Sequence, residues 1–430
     1  MTNDSNDPMT FPLSLHLMSK TLVTNIKQLI NVRERSYTLR GNQLAELPVI
    51  QNAFLLVNNG KIAAYGEMAN AAELINSSVE IIDANGAAVL PCWCDSHTHL
   101  VFAASREDEF VDKIKGLTYA EIAAKGGGIL NSAKKLNATP EDVLYQQAFD
   151  RLRQIIRLGA GAVEIKSGYG LSVEGELKML RVIKRLKETA PIPIKATFLG
   201  AHAYPPEYKT NHAGYIKLIT DEMLPAIAKE GLADYIDAFC EEGFFSAAET
   251  AAICKAGAQY GLKPKLHVNQ LNSIGGIQMG IEANAISLDH LEVMTEEDIQ
   301  AIASSQTIAT LLPTAAFFLR MPYQPARALI DAGAIVALAT DYNPGSSPSG
   351  NMGFVVSLSC IQMKMLPEEA INAATLNGAY AMQLGDEVGS ITIGKKANLI
   401  FTKPIPSVAY LPYAFGTNLV DKVMVNGAFY

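Results

Sequence analysis

The chain has 430 residues, of which 49% are hydrophobic and 18% are charged. This composition excludes a disordered protein, and the length is sufficient for two domains or for one large barrel with a smaller domain attached. The formal net charge is −8, from 35 Lys and Arg against 43 Asp and Glu. The protein therefore offers no basic field for nucleic acid or for acidic lipid headgroups.

The cysteines and the N-terminal segment indicate the compartment. Five cysteines are scattered without regular spacing, and an odd number does not suit a disulfide scaffold. Residues 1–11 are polar and lack the basic and apolar regions of a secretory signal. No stretch approaches the roughly 18 consecutive apolar residues of a membrane span. We therefore predict a cytoplasmic protein.

Both ends of the chain contain short β-type segments separated by turn residues such as Asn-Gly pairs. The clearest of these segments are 53–57, 79–82, 389–393, 398–402 and 420–425. We predict that residues 1–90 and 385–430 form two parts of one small β-sandwich domain.

Between these ends, residues 91–384 alternate buried strands, polar loops and amphipathic helices, which is typical of a parallel α/β fold. Eight strand-like runs are visible, at 87–94, 162–166, 194–199, 235–240, 264–268, 285–288, 307–311 and 335–340. Helical periodicity is clear at 141–158 and 175–188. We predict a TIM-like (β/α)8 catalytic barrel.

Histidines and one aspartate lie where predicted barrel strands end. His97 and His99 follow the first strand, His267 ends the fifth and Asp341 ends the eighth. Strand ends converge at one mouth of a barrel, so these side chains can meet around one divalent cation. Three imidazoles and a carboxylate suit zinc or iron better than magnesium or calcium. Such a cation activates water and polarises a carbonyl, which predicts a hydrolase.

The same mouth carries groups that can transfer protons or bind substrate. His290 ends the sixth strand and can transfer a proton or orient a ligand, and Asp341 can accept a proton. We expect the neighbouring Asp289 to face away from the site. Arg106 could hold a carboxylate with its planar guanidinium, or could form a surface salt bridge. Residues 343–347 offer amide, hydroxyl and backbone N–H donors in one turn.

These segments resemble the amidohydrolase superfamily, and within it the enzymes that open the ring of 4-imidazolone-5-propanoate. The resemblance covers residues 21–430. It rests on Asp-Ser-His-Thr-His at 95–99, Ser-Arg-Glu at 105–107, Gly-Gly-Gly-Ile at 126–129, Glu-Ile-Lys-Ser-Gly-Tyr-Gly at 164–170, Gly-Ala-His at 200–202 and Thr-Asp-Tyr-Asn-Pro-Gly-Ser at 340–346.

The resemblance implies hydrolysis of the cyclic amide to N-formimino-L-glutamate, a step of L-histidine degradation. It implies that His97, His99, His267 and Asp341 hold one Zn2+, Fe2+ or Fe3+ ion. It implies a substrate pocket formed by Arg106, Tyr119, Tyr169, His202, Gln270, Asn343, Gly345 and Ser346. Binuclear relatives carry a carboxylated lysine on the fourth strand, and residues 235–240 contain no lysine, so one metal ion is expected.

The catalytic group is expected to comprise His290, Asp341 and Gln270. Some members of the family have Glu at the position of Gln270, and an amide cannot ionise, so proton transfer is assigned to His290 and Asp341. The expected partner is a small anionic molecule, and a homodimer is also expected. Two alternatives remain: a related deaminase that acts on a heterocyclic ring, and a non-catalytic barrel that serves as a binding protein.

Overall fold

The computed structural model describes residues 20–75, 77–117, 121 and 127–430, which contain a barrel of parallel strands and a second, separate sheet. The barrel strands are β6 (Trp93–Asp95), β7 (Ala160–Lys166), β8 (Ile194–Ala201), β9 (Tyr235–Cys240), β10 (Lys263–Val268), β11 (Ser287–His290), β12 (Ile308–Leu311) and β13 (Val336–Leu338). Each strand pairs in parallel with the next along the chain. The predicted (β/α)8 barrel is confirmed.

The barrel is closed by the segments that follow its first and last strands. Thr98 forms a parallel bridge with Tyr342. The backbone N–H of Asp341 donates to the carbonyl of His97 at 3.0 Å, and the N–H of His99 donates to the carbonyl of Tyr342 at 2.9 Å. This closure places His97, His99 and Asp341 side by side.

Helices connect the barrel strands, and further helices follow the last of them. They are α1 (Glu107–Ile114), α2 (Ile129–Ala138), α3 (Glu141–Arg157), α4 (Val173–Thr189), α5 (His212–Leu218), α6 (Leu224–Glu230), α7 (Ala247–Ala258), α8 (Gly276–Glu282), α9 (Glu296–Ala303), α10 (Pro313–Leu319), α11 (Ala326–Asp331), α12 (Met352–Met363), α13 (Pro367–Asn372), α14 (Gly378–Ala381) and α15 (Tyr410–Tyr413). The 3-10 helices are Gly41–Ala45, Met68–Asn70, Ala72–Leu74 and Pro206–Tyr208, and the π-helices are Ile219–Met223 and Ala373–Asn377.

Local sequence determines where several helices begin. The hydroxyl of Ser172 accepts from the N–H of Gly175 and caps α4, and Thr295 forms a capping box with Asp298 at α9. In α3, the buried residues recur every three or four positions and pack into the main hydrophobic core. None of the helices in the described ranges is both long enough and apolar enough to cross a bilayer.

The second sheet has strands from both ends of the chain, as predicted for the small β domain. Its strands are β1 (Lys20–Ile30), β2 (Val49–Asn58), β3 (Lys61–Glu67), β4 (Val79–Asp83), β5 (Ala88–Pro91), β14 (Leu399–Thr402), β15 (Val420–Val425) and β16 (Ala428–Phe429). The two chain ends join where β14 pairs antiparallel with β5. The domain boundaries at residues 90 and 384 stay predictions.

Two predicted strands differ in the structure. The run 87–94 is divided: β5 belongs to the small sheet and β6 to the barrel. The change occurs at Cys92, whose N–H donates to Asn398, whereas the next N–H, of Trp93, donates to Gly159 on the barrel side. Segment 389–393 forms only an isolated bridge, at Ile391. Within it, the Ser390 hydroxyl accepts from the ammonium of Lys395, so side-chain contacts hold this loop.

Candidate active site

The four residues predicted as metal ligands lie together at the carboxyl ends of the barrel strands. His97, His99 and Asp341 offer ligand atoms that all lie within 4.8 Å of one another, and His97, His267 and His290 form a second such group. All are buried. The structure therefore brings together side chains from the first, fifth, sixth and eighth barrel strands.

The distances between these donors suit a single small cation. His97 Nε2 and His99 Nε2 lie 3.5 and 3.6 Å from Asp341 Oδ1, and His99 Nε2 lies 3.3 Å from His267 Nε2. Tetrahedral ligands at about 2.0–2.1 Å from a shared ion are about 3.3 Å apart. In addition, His97 Nε2 is buried without a hydrogen-bond partner among the described residues. Three nitrogens and one carboxylate thus form a set that fits zinc or iron.

The opposite nitrogens of two of these histidines face carboxylates. His97 Nδ1 lies 2.7 Å from Asp289 Oδ2, and His267 Nδ1 lies 2.8 Å from Asp237 Oδ2. A carboxylate at Nδ1 fixes the tautomer with the proton on that nitrogen and leaves the lone pair of Nε2 for a cation. The expectation that Asp289 faces away from the site is therefore wrong. Alternation places Asp289 inside the barrel, on the same side of β11 as Ser287.

Beneath the histidines lies a layer of buried charges, which we call the charged floor: Glu164, Lys166, Asp237, Lys265 and Asp289. Lys166 Nζ is 2.7 Å from Glu164 Oε1, 2.9 Å from Asp237 Oδ2 and 3.6 Å from Asp289 Oδ2. Lys265 Nζ is 3.1 Å from Glu164 Oε2. Side chains from β7, β9, β10 and β11 thus compensate one another inside the barrel.

The environment shifts the ionisation of these groups. Burial lowers the pKa of His97, His99 and His267 well below the ordinary value, so the imidazoles are neutral and can act as ligands. Burial opposes ionisation of Asp289, but the ammonium groups of Lys265 and Lys166 hold its pKa below the ordinary value. His97 therefore faces an ionised carboxylate at Asp289.

His290 is held by a second polar group. Its Nδ1 lies 3.3 Å from Glu292 Oε1, which also accepts from Gln324 at 2.9 Å. Burial opposes protonation of His290, but Glu292 raises its pKa above the ordinary value. His290 has φ of 87° and Asp341 has φ of 52°, left-handed conformations that are strained for such residues. Both residues predicted to transfer protons are thus held in strained backbone.

Burial raises the pKa of Asp341 to about 6, although His290 and hydrogen bonds from Asn343 and Ser346 oppose this. The Ser346 hydroxyl donates to Asp341 Oδ2 at 3.2 Å. Asn343 Oδ1 accepts from the N–H groups of Gly345 and Ser346, both at 2.8 Å. The predicted donor turn is present, but Asn343 uses its side chain to shape the turn itself.

Arg106 lies at the rim of the mouth and is already paired. Its Nε and Nη2 donate to Glu109 Oε2 at 2.8 and 2.6 Å. The other oxygen of Glu109 accepts from the N–H of Gly128 at 3.0 Å. The Nη1 side of Arg106 lies against Gly345, where a Cβ atom would come within 2.2 Å of it. Among the described residues, Glu109 thus pairs with Nε and Nη2 of Arg106 and does not engage Nη1.

Tyr169 and His202 are buried beside the histidine cluster. The ring of His202 stacks on His99 with centroids 5.4 Å apart, and its Nδ1 lies 2.9 Å from the carbonyl of Gly168. Burial lowers the pKa of His202 to about 4, although the contact with Gly168 opposes this. His202 is therefore neutral near pH 7, and Nδ1 is the nitrogen that carries its proton.

A cavity of about 540 Å3 opens above the candidate metal ligands. Of the predicted substrate residues, it is lined by Arg106, Tyr169, His202, Gln270, Asn343, Gly345 and Ser346. Tyr119 lies outside the described residues. Lys113 and Arg320 also line the cavity and add positive charge that sequence reasoning did not assign. The cavity thus combines a polar base with a cationic rim that suits a small anion.

Comparisons with known proteins agree with this geometry. The model of the amidohydrolase family matches residues 88–429. The chain belongs to the amidohydrolase family. It is 60% identical to an imidazolonepropionase of Flavobacterium johnsoniae, over 95% of this chain and 99% of that protein. It is 57% identical to an imidazolonepropionase of Christiangramia forsetii, over 94% of this chain and 98% of that protein.

Solved structures show that this amidohydrolase shares its fold with more distant proteins. A zinc-bound adenosine deaminase of Xanthomonas campestris superposes with a TM-score of 0.69 at 16% identity, covering 96% of this chain and 92% of that one. The guanine deaminase of E. coli gives a TM-score of 0.73 at 14% identity, covering 96% and 99%. At this level of identity the similarity concerns the fold alone.

Sequence reasoning missed the charged floor, although a signal was present. Glu164 and Lys166 are two residues apart on β7, and Lys265 and His267 are two residues apart on β10. Residues at i and i+2 of a strand face the same side, and a charged pair inside an apolar strand indicates a shared polar interior. Glu109 lies on α1, three residues after Arg106, and this spacing alone did not indicate that the two pair. Glu292 follows β11, and its contact with Gln324 joins two distant segments.

Proposed function

We propose that this protein hydrolyses the cyclic amide of 4-imidazolone-5-propanoate to N-formimino-L-glutamate in L-histidine degradation. The imidazolonepropionases named above, at 60% and 57% identity over nearly the whole chain, support this function. The observation that carries it in the structure is the convergence of His97, His99, His267 and Asp341 beneath a cavity with a cationic rim.

We propose that these four residues hold one Zn2+ or iron ion. When bound, this ion would polarise the ring carbonyl and lower the pKa of a water molecule. The chemistry of the donor set supports a single ion. Binuclear relatives carry a carboxylated lysine on this fourth barrel strand, β9. In this chain the residue of β9 that faces His267 is Asp237, and its two carboxylate oxygens accept from the backbone N–H and the Nδ1 of that histidine.

The chain's own residues orient the substrate and transfer protons. We assign Arg106 to the propanoate arm, through the Nη1 that Glu109 leaves free. Tyr169, His202, Gln270, Asn343, Gly345 and Ser346 line the rest of the pocket, and Tyr119 is proposed with them. Gln270 would donate a hydrogen bond to the ring and carry no proton, because an amide does not ionise.

In the reaction, water adds to the ring carbonyl carbon, the bond to the ring nitrogen breaks, and that nitrogen gains a proton. We propose that Asp341 accepts the proton from water and that His290, held by Glu292, positions or transfers it toward the nitrogen. His202 and His290 stand near enough to the cluster to stabilise the developing oxyanion. The new carboxylate would form beside residues 343–346.

The test is to mix the purified protein with 4-imidazolone-5-propanoate and follow the ultraviolet absorbance of the ring. We expect the absorbance to decrease, to stop decreasing after a chelator is applied, and to resume decreasing when Zn2+ or Fe2+ is restored. N-formimino-L-glutamate should form in equal amount. Stable absorbance with metal-loaded protein, or ammonia as the initial product, would overturn the proposal in favour of a binding protein or a deaminase.

We also propose a cytoplasmic location and a homodimer. All five cysteines are free and four are buried, which agrees with a reducing compartment. Sedimentation equilibrium of the purified protein would test the dimer directly.

A further inference from the structure

One ammonium group connects two of the proposed metal ligands through their carboxylate partners. Lys166 Nζ lies 2.9 Å from Asp237 Oδ2 and 3.6 Å from Asp289 Oδ2. The same two oxygens face His267 Nδ1 at 2.8 Å and His97 Nδ1 at 2.7 Å. Each oxygen therefore lies between the same ammonium group and a different imidazole.

This arrangement matters because none of the participating charges reaches solvent. The side chains of Lys166, Asp237 and Asp289 are fully buried. A buried carboxylate that loses its compensating cation also loses the contact that fixes its position. Its histidine is then no longer oriented at Nδ1, and the Nε2 lone pair is no longer directed at a cation.

Lys265 offers an internal comparison. It is equally buried, belongs to the charged floor and also contacts Glu164. However, its ammonium donates to Ser287 Oγ at 2.7 Å and to the carbonyl of Ala381 at 3.1 Å. Its hydrogen-bonded route to Asp289 passes through Ser287, whose hydroxyl donates to Asp289 Oδ1 at 2.6 Å. Lys265 is therefore connected through Ser287 to Asp289 Oδ1, which is not the oxygen that faces His97.

We propose that Lys166 is a positioning residue that holds Asp237 and Asp289 against His267 and His97, so that one ammonium group orients two metal ligands. This inference rests on the proposed metal ligands and not on the identity of the substrate. Lys166 is the first residue of the Lys-Ser-Gly-Tyr-Gly segment and would act beneath the site. Tyr169 of the same segment lines the pocket and has a separate role.

The test compares Lys166→Met with Lys265→Met as a matched control. Metal-free protein is titrated with Co2+ against a competing chelator, and the visible absorption bands of bound Co2+ report the ligand geometry. We expect Lys166→Met to weaken Co2+ binding by about 10- to 100-fold and to alter the bands, because partners of ligand histidines have effects of this size. Lys265→Met should cause a clearly smaller loss, because Lys265 reaches Asp289 only through Ser287, although both variants lose a buried ammonium group.

A second measurement separates positioning from general destabilisation. Asp237→Asn together with Asp289→Asn should weaken Co2+ binding to a similar degree, and adding Lys166→Met to this pair should cause no further loss. Equal losses in the two lysine variants, or a fully additive loss in the triple variant, would overturn the proposal. If Lys166→Met does not fold, Lys166→Gln takes its place with the same expectations.

Failure of this inference can be distinguished from failure of the proposed function. Co2+ affinity is measured without substrate, so an unaltered protein that binds Co2+ but leaves the imidazolone ring intact would contradict only the proposed function. Conversely, full ring-opening activity with unchanged Co2+ affinity in Lys166→Met would contradict only the inference about Lys166.

Discussion

The floor and the rim of the candidate site are built in different ways. On the floor, charges such as Lys166 and Asp289 project from strands, are fully buried and contact partners on other strands. At the rim, Arg106 pairs with Glu109 three residues away, and Asn343 bonds to Ser346 within one turn. Strand pairing therefore fixes the floor, whereas local loop sequence fixes the rim. We therefore expect the floor to support the proposed metal site and the rim to select the proposed substrate.

The strongest test of this division is at Asp341, which lies directly above the floor. We expect Asp341→Ala to lower kcat by about a thousandfold or more, roughly 4 kcal/mol, because a proposed ligand and proton acceptor is lost. Kinetics with the imidazolone substrate measure this. Asp331→Ala removes an exposed carboxylate on α11 and serves as a control that should leave kcat unchanged. A loss of less than about tenfold in Asp341→Ala would contradict the role.

A smaller effect is expected at the rim. Arg106→Met should raise KM by about 30- to 100-fold and change kcat by less than about threefold, because a charge-assisted hydrogen bond to the propanoate arm is lost in substrate and transition state alike. Steady-state kinetics separate the two parameters. Gly345→Ala, which would press a methyl group against Arg106 Nη1, should change KM in the same direction. A decrease in kcat with constant KM would place Arg106 in the chemical step instead.

The smallest effect is expected at His202, between the two regions, and concerns stability. Burial lowers its pKa to about 4 from an ordinary 6.5, so between these pH values the unfolded chain binds a proton that the folded chain does not. The free energy of unfolding therefore decreases as pH falls, by about 2 kcal/mol between pH 7 and 5 from this group.

His202→Asn removes this contribution. Urea denaturation of metal-free protein at pH 7, 6 and 5 should show a shallower decrease for the variant than for the unaltered chain. Parallel pH profiles for the two proteins would show that the imidazole of His202 titrates alike in the folded and unfolded chains.

The sequence predicted the parts of the molecule that depend on regular patterns. Strand 235–240 was predicted with the bounds that the structure shows, because a mostly apolar run, interrupted by Asp237, between turn residues leaves few alternatives. The cluster of His97, His99, His267 and Asp341 could be predicted because parallel strands end at one mouth. The role of each ligand stays a prediction.

What could not be predicted depends on which loop side chains pair with each other. Arg106, which could hold a carboxylate or form a salt bridge, is paired with Glu109, and Asn343 Nδ2 donates to Ser346 Oγ within its own turn. Segment 389–393 has strand-like composition, yet it pairs with the chain after β1 only through the isolated bridge of Ile391 with Val32, and Ser390 accepts a hydrogen bond from Lys395. In each case the outcome depends on distances between side chains in space, which residue types and spacing do not specify.

The backbone bond between Asp341 and His97 has a consequence for maturation of the protein. The proposed ligands come from the beginning and the end of the barrel segment, so a chain synthesised only to a point before Asp341 cannot assemble them. The proposed ion can bind only after the last barrel strand has packed beside the first. A bound ion would therefore indicate that the whole barrel has been synthesised and closed. Fragments that end before residue 341 would bind no ion at this site.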